Sequence, residues 1–473
     1  MSAAKTVKKK GKTGKAGGRK SAGAGGKSAR AGANGGRGSA GKSAKAAAGY
    51  KEPGLMKRLA EGPVICAEGY VFELERRGYL QAGAFVPTVL TDHPEVVEQL
   101  HMDFVHAGSD VTQALTYYVH REKLRVIGRE KDLVPMNRIA LNIAKKVARK
   151  THTLFAGDIC NTNIYDPADK KALREVERIF AEQVGWAADA GVDYIVAETF
   201  SWGAEAVMAL EAIKKHSKVP AVVTFSIHRE EHTREGWTAA ETCKRLEEAG
   251  AEVVGLNCHR GPDTMLPLLR EIRDAVKCEV AALPVPYRTT TEQPSFMSLT
   301  DPCCDNARAF PIGLDPFVCT RAEIGAFGRA AYEMGVKYLG VCCGAGPHHI
   351  RALAEGLGRH PEGSKYSADM SKHAFFGTDK KIKSVQTEYR AKLCDMAGAG
   401  RRVNGPVRPC ACGIRDRPAA RIRVGPWRAR WPVLLRECRQ VRPFGYFRRS
   451  FSSNASNSAT LAMSASRGVG PGR

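Results

Sequence analysis

The first 51 residues of this 473-residue chain hold no acidic side chain, and no aromatic residue precedes Tyr50. Lacking apolar patterning beyond Val7, the segment cannot bury enough surface to offset its chain entropy, which predicts a disordered basic tail over residues 1–51. Nucleic-acid contact is expected only through the tails, and in this one, without aromatic faces before Tyr50 to stack on bases, it reduces to phosphate attraction. A solubilising or targeting extension is the plainer reading of the first tail. No run of about 18 apolar residues and no secretory apolar segment occurs, which disfavours membrane spanning and export. The expected compartment is the cytoplasm, with an organelle transit peptide left open. Lysine is missing from residues 401–473, which carry 16 Arg against Asp416 and Glu437 and read as a second disordered tail. Cysteine is too sparse for a disulfide scaffold: 14 residues are about 3% of the chain. In a reduced compartment, those thiols call for explanation by packing, metal or catalysis.

What is there is a near-neutral body between two basic ends. Each tail is net +14 and the whole chain +24, which leaves −4 for residues 52–400. From Glu61 the body alternates short apolar runs with stretches of helical period, the pattern of parallel strands joined by crossover helices. Eight runs are present: 63–68, 109–114, 153–159, 192–198, 221–227, 252–258, 279–285 and 336–342. Eight such units match a closed (β/α)8 TIM barrel of the α/β class better than an open sheet, giving a barrel domain over residues 52–369. Helix punctuation agrees: Pro94 opens and Gly108 closes one stretch, Pro347 and Gly358 another, and Gly335 follows Ile324, Phe327 and Met334. Residues 370–400 read as an arm with one helix ending before Gly398, a candidate oligomerisation element.

The feature that decides the chemistry is the position of three cysteines. Cys258 ends the sixth run, and Cys342 and Cys343 end the eighth. Carboxyl ends of parallel barrel strands share one face, so these distant residues can meet there. Three thiolates suit Zn2+, and three protein ligands leave a fourth position for substrate, the mark of a catalytic site. Buried, inert cysteines are the plain alternative. A rival vicinal pair, Cys303 and Cys304, lies in a turn-rich stretch between Asp301 and Asn306 and reads as a loop feature, as do Cys410 and Cys412 in the tail.

Gly255-Leu256-Asn257-Cys258 and Gly340-Val341-Cys342-Cys343-Gly344 resemble the two zinc signatures of the homocysteine S-methyltransferase family. The similarity spans about residues 60–395 and is strongest toward the betaine-homocysteine branch, including Phe72 to Tyr79, His106 to Ser109 and the region of Met370 to Lys372. The resemblance implies Cys258, Cys342 and Cys343 as zinc ligands and Glu198 as the carboxylate for the amino group of homocysteine. It implies Tyr117 and Tyr118 as an aromatic pair for an onium donor, with Phe85 standing where a Trp is usual and Thr199 where a Tyr is usual. Near Glu68 and Gly69 the family pattern places an acid at the position of Ala67. Glu68 would substitute from one position later, a shift that turns a strand residue to the opposite face unless a turn begins there.

The implied reaction is methyl transfer from betaine or a similar onium to homocysteine sulfur, giving methionine. Metal binding deprotonates the acceptor thiol, so no catalytic side chain beyond that activated sulfur is required. The partners are homocysteine and a small methyl donor, within a homo-oligomer and away from membranes. The competing readings are a pseudoenzyme that keeps zinc and a basic nucleic-acid adaptor.

Overall fold

Eight short parallel strands form one sheet: β1 (Val64–Ala67), β2 (Val111–Gln113), β3 (Leu154–Cys160), β4 (Tyr194–Phe200), β5 (Ala221–Phe225), β6 (Val253–Asn257), β7 (Glu279–Leu283) and β8 (Tyr338–Val341). This computed structural model describes residues 54–302, 305–374, 377–386, 388, 389 and 392. The two basic tails, the Cys303–Cys304 pair, Gly398, Cys410 and Cys412 lie outside the described residues. Each strand overlaps one of the eight apolar runs with ends shifted by one or two residues, except at β5 and β7, whose first residues coincide with the start of their runs.

In the sheet, β1 pairs with β8, β8 with β7, and the order then descends through β6, β5, β4 and β3 to β2. The two ends of that order are bridged by Asp110, just ahead of β2. Its N–H donates to Ile65 O at 2.8 Å, and its Oδ2 accepts from Ile65 N at 2.8 Å. Arg359 grips the same carboxylate through two bonds of 2.6 and 2.5 Å. The arrangement is a (β/α)8 barrel.

The crossover helices are α1 (Pro94–His106), α2 (Leu133–Thr151), α3 (Lys170–Ala190), α4 (Gly203–His216), α5 (Ala239–Glu248), α6 (Pro262–Ala275) and α7 (Arg321–Glu333), and α8 (Pro347–Gly356) follows β8. The strand pleat sorts side chains into two cores. Ile65, Phe155, Ile195, Val223, Val254 and Leu339 join the helices in an outer core, while Val64, Leu154, Tyr194, Val222, Val253 and Tyr338 fill the barrel. A leading helix, Leu55–Glu61, adds Leu55 and Leu59 to the inner core where the strands begin. Toward the strand ends the interior turns polar with Gln113, Asp158, Glu198 and Asn257, all buried. That gradient sets the site at the carboxyl face. Among the described residues, no helix is long and apolar enough to cross a membrane.

One buried residue of α1 makes the fold acid-sensitive. His101 is 1% exposed, packs edge-on to Tyr70 at 4.9 Å, and neither ring nitrogen has a hydrogen-bond partner among the described residues. Burial lowers its pKa to about 3. The unfolded chain takes up a proton near pH 6.5 and the folded chain does not, so stability is full above about 6.5 and falls as pH drops toward 3. Between pH 7.5 and 5 the wild type should lose about 2 kcal/mol more than His101→Phe, at roughly 1.4 kcal/mol per pH unit below 6.5. Urea unfolding at both pH values checks this. Parallel losses in the two proteins would remove the histidine from the account.

Candidate active site

Cys258 and Cys342 come together because both strand ends hang on β7. Cys258 N donates to Leu283 O at 3.0 Å, and Cys342 N donates to the next carbonyl, Pro284 O, at 2.8 Å. The Cys258, Cys342 and Cys343 sulfurs all lie within 4.8 Å of one another, with Cys342 and Cys343 3.9 Å apart. Tetrahedral zinc with bonds near 2.3 Å needs sulfurs about 3.8 Å apart, so the donor set fits that ion with little adjustment. Hydrogen bonds from Cys342 and Cys343 hold the Cys258 thiol well below its usual value. Burial first, then bonding to Cys258, pushes Cys342 up, and bonding to Cys258 does the same for Cys343.

The loop after Cys343 is braced from outside. Gly344 has φ +93°, and a Cβ there would stand 2.2 Å from Tyr287 Oη. Arg76 donates to Gly344 O at 2.7 Å and to that same Tyr287 Oη at 2.9 Å, so one guanidinium fixes the turn and its wall. Gly69 begins the helix Tyr70–Arg76, and a Cβ on it would press 2.5 Å from Ala345 O. No larger residue fits between these two loops.

Below the sulfurs lies a carboxylate layer. Val64, Cys66 and Glu68 share the inner side of β1 and its extension, whereas Ala67 belongs to the outer core. The one-residue displacement of the acid therefore points it inward. Glu198, read from the sequence as the end of its run, sits inside β4, which continues to Phe200 through a register shift between Ala197 and Phe200. Thr199 takes φ +63° at that irregularity. Asn257 is the hub: its Nδ2 lies 2.8 Å from Glu198 Oε2, 3.2 Å from Glu68 Oε2 and 2.7 Å from Thr199 Oγ1, while its Oδ1 accepts from Thr199 N at 3.0 Å. Gln113 Nε2 donates to Glu198 Oε1 at 2.9 Å. Burial raises Glu198 to about 7, and burial followed by the charge of Glu198 raises Glu68 and Asp158 well above the carboxylate range.

Above the sulfurs opens a cavity of about 410 Å³ lined by Tyr117, Tyr118, Phe85, Cys258 and Cys343 among others. Beneath it a cleft of about 20 Å³ is walled by Glu68, Asp158, Glu198 and Cys342, with Tyr117 and Cys343 common to both spaces. The Tyr117 and Tyr118 rings are 4.2 Å apart at 42°, and Lys123 Nζ sits 3.9 Å from the Tyr118 ring. Phe85 stacks on Phe72 at 5.2 Å. Backbone strain collects here: of nine described non-glycine residues with positive φ, six line the larger cavity, namely Phe85, Tyr118, Asn163, Thr199, Cys258 and His259. Such conformations cost about 1–3 kcal/mol each and persist where surrounding structure over-determines them.

The barrel and its site define a class before a chemistry: an α/β-barrel enzyme with a cysteine cluster and buried acids at its carboxyl face. The fold is shared with the metallated form of the homocysteine methyltransferase MmuM from Escherichia coli, at a TM-score of 0.50 and 16% identity over 63% of this chain and 99% of that one. The family model described as homocysteine S-methyltransferase matches residues 65–357, and the chain belongs to that family. Betaine–homocysteine S-methyltransferase 1 of Bos taurus is 36% identical over 346 residues, 70% of this chain and 82% of the relative. S-methylmethionine–homocysteine S-methyltransferase BHMT2 of Pongo abelii is 34% identical over 332 residues, 69% and 86% of the two chains. The protein is a homocysteine S-methyltransferase.

Sequence reasoning assigned no role to Asn257, Gln113, Arg76 or Asp158. For Asp158 a signal existed: it is the one charged residue in the run 153–159, at the parity of Leu154 and Ala156.

Proposed function

We propose that the chain moves a methyl group from a small onium donor, betaine or a near analogue, to the sulfur of homocysteine, with Zn2+ held by Cys258, Cys342 and Cys343. The observation that carries this reading is the meeting of three sulfurs between an aromatic-lined cavity and a carboxylate-walled cleft. Bound there, Zn2+ would supply the Lewis acidity that keeps an acceptor thiol, otherwise near pKa 8.5, deprotonated at neutral pH. Tyr117, Tyr118 and Phe85 offer ring faces to the onium charge. Glu198 and Glu68 set carboxylates below the sulfurs, where the acceptor's ammonium needs an opposite charge, and Gly69 lets the chain after Glu68 pack closely on Ala345. The closed lower barrel and tightly packed loops hold donor and acceptor in register for in-line displacement.

S-methylmethionine is the second reading for the donor, favoured by the 34% identity to a relative named for it. A second copy of the chain is the proposed partner, through the arm that begins at Met370 and exposes Val385, and the cytoplasm is the proposed compartment.

Purified full-length protein loaded with zinc should form methionine from homocysteine and one member of a panel of betaine, dimethylsulfoniopropionate and S-methylmethionine. Tyr117→Leu should raise KM for the active donor roughly 3- to 30-fold, the range of one cation–π contact. Zinc-loaded protein that makes no methionine with any of the three would overturn the donor class.

A further inference from the structure

We propose that Asp158 is a specificity residue of this enzyme, pairing with Glu68 to receive the ammonium group of an amino-acid acceptor in the cleft below the three cysteines. The inference rests on the acceptor site proposed above and adds a residue to it.

An ammonium brings three N–H donors and requires acceptors that the protein has not already used. Glu198 is largely spoken for: its Oε1 accepts from Gln113 at 2.9 Å, and its Oε2 from Asn257 at 2.8 Å and Thr199 Oγ1 at 2.9 Å. Glu68 gives its Oε2 to Asn257 at 3.2 Å. The Asp158 carboxyl also lies against Glu198 and Gln113, and two buried oxygens are left over. Glu68 Oε1 and Asp158 Oδ1 are buried and have no hydrogen-bond partner among the described residues. Both residues wall the same cleft, with Glu198, Cys342 and Cys343, and they are only 7% and 3% exposed. A volume of about 20 Å³ takes one water-sized group, the size of an ammonium head.

Three buried carboxyls with no cationic side chain paired to them among the described residues are costly in the folded protein. An arrangement of that cost persists where a ligand cation completes it. The sequence adds a reason for the extra acid. With Ala67 at the family's acidic position, the inner face of β1 carries its carboxylate one residue later on Glu68, and Asp158 brings another from β3. The class of acceptor selected is a thiol bearing a primary ammonium, in preference to an otherwise equal thiol without one.

The experiment is calorimetric binding of two thiols to the zinc-loaded full chain without donor: homocysteine and 4-mercaptobutanoate, its deaminated counterpart. The wild type should favour homocysteine at least 10-fold. Asp158→Asn should weaken homocysteine binding roughly 10- to 100-fold, the range for a hydrogen bond to a charged group, and leave 4-mercaptobutanoate within about twofold. Zinc content should be unchanged, and the melting temperature equal or higher, because one buried acid is gone. A merely structural Asp158 would weaken both thiols together or lower the melting temperature. Either outcome overturns the proposal, as does equal wild-type affinity for the two thiols or unaltered homocysteine binding by the variant. Because no donor is present, failure of methyl transfer in the donor panel leaves this result standing on its own.

Discussion

Cys342→Ser should abolish both the metal and the reaction: bound zinc falls from near one per chain to a trace, and methionine formation drops roughly 1000-fold or more. Serine keeps the shape of the side chain but not its acidity, and its hydroxyl does not ionise near neutral pH. The cluster then has two thiolates instead of three. Changes to the groups that hydrogen-bond a metal's ligands alone cost a site about 10- to 100-fold in affinity, so loss of a ligand costs at least that. The rate loss is larger, because an acceptor thiol without metal is mostly protonated and the transfer has no general base to take its place. Cys342 is 2% exposed, and a new hydroxyl would stand near Asn257 Nδ2, now 3.8 Å from the sulfur, so the fold has a partner ready for it. Metal analysis after dialysis, beside circular dichroism, separates metal loss from unfolding. A folded variant that retains stoichiometric zinc and wild-type turnover would sink the three-cysteine assignment.

Asn257→Asp should be nearly as damaging through a change of one atom. The amide nitrogen is the donor that Glu198, Glu68 and Thr199 share. An aspartate there replaces the shared donor with a fourth carboxylate, with Glu68, Asp158 and Glu198 already gathered in the cleft. Lost charged hydrogen bonds and added repulsion should cost about 2–4 kcal/mol of stability, which for a barrel of this size lowers Tm by roughly 5–15 °C. Homocysteine affinity should fall at least about 10-fold, since Glu68 and Glu198 lose the group that aims them. Thermal melts and homocysteine titration read the two effects. A variant with wild-type Tm would mean that the carboxyls satisfy one another by sharing protons, and the hub would lose its importance.

Much of the barrel was legible because its signals are local. Short apolar runs alternating with helical stretches, proline at helix starts and glycine after helix ends mark the units, and the eight runs correspond to eight strands. The cysteine cluster was legible for a topological reason: carboxyl ends of parallel strands meet on one face, so Cys258 and the Cys342–Cys343 pair needed only correct strand ends. The carboxylate layer was harder to read. Its logic depends on which residue of one strand faces which residue of another across the interior, as Asn257 on β6 does with Glu68 just past β1. Spacing along the chain carries no such information. Glu68 shows the limit: a one-residue shift in alignment predicts the wrong face, yet parity counted from Val64 and Cys66 gives the right one. The irregularity that lets Thr199 adopt φ +63° leaves no mark in composition, because nothing but tertiary context selects it.

The barrel's circle is finished by a borrowed side chain rather than by a continuous ladder. Asp110 clasps Ile65 with both its backbone and its carboxylate, and Arg359, beyond the last barrel helix, holds that clasp shut. How deep Glu68 sits, three residues along from Ile65, is thus anchored by a charge that the chain delivers only after every strand has been made. A polypeptide ending before residue 359 would carry every sulfur and acid of the site and still lack the rivet that sets their depth.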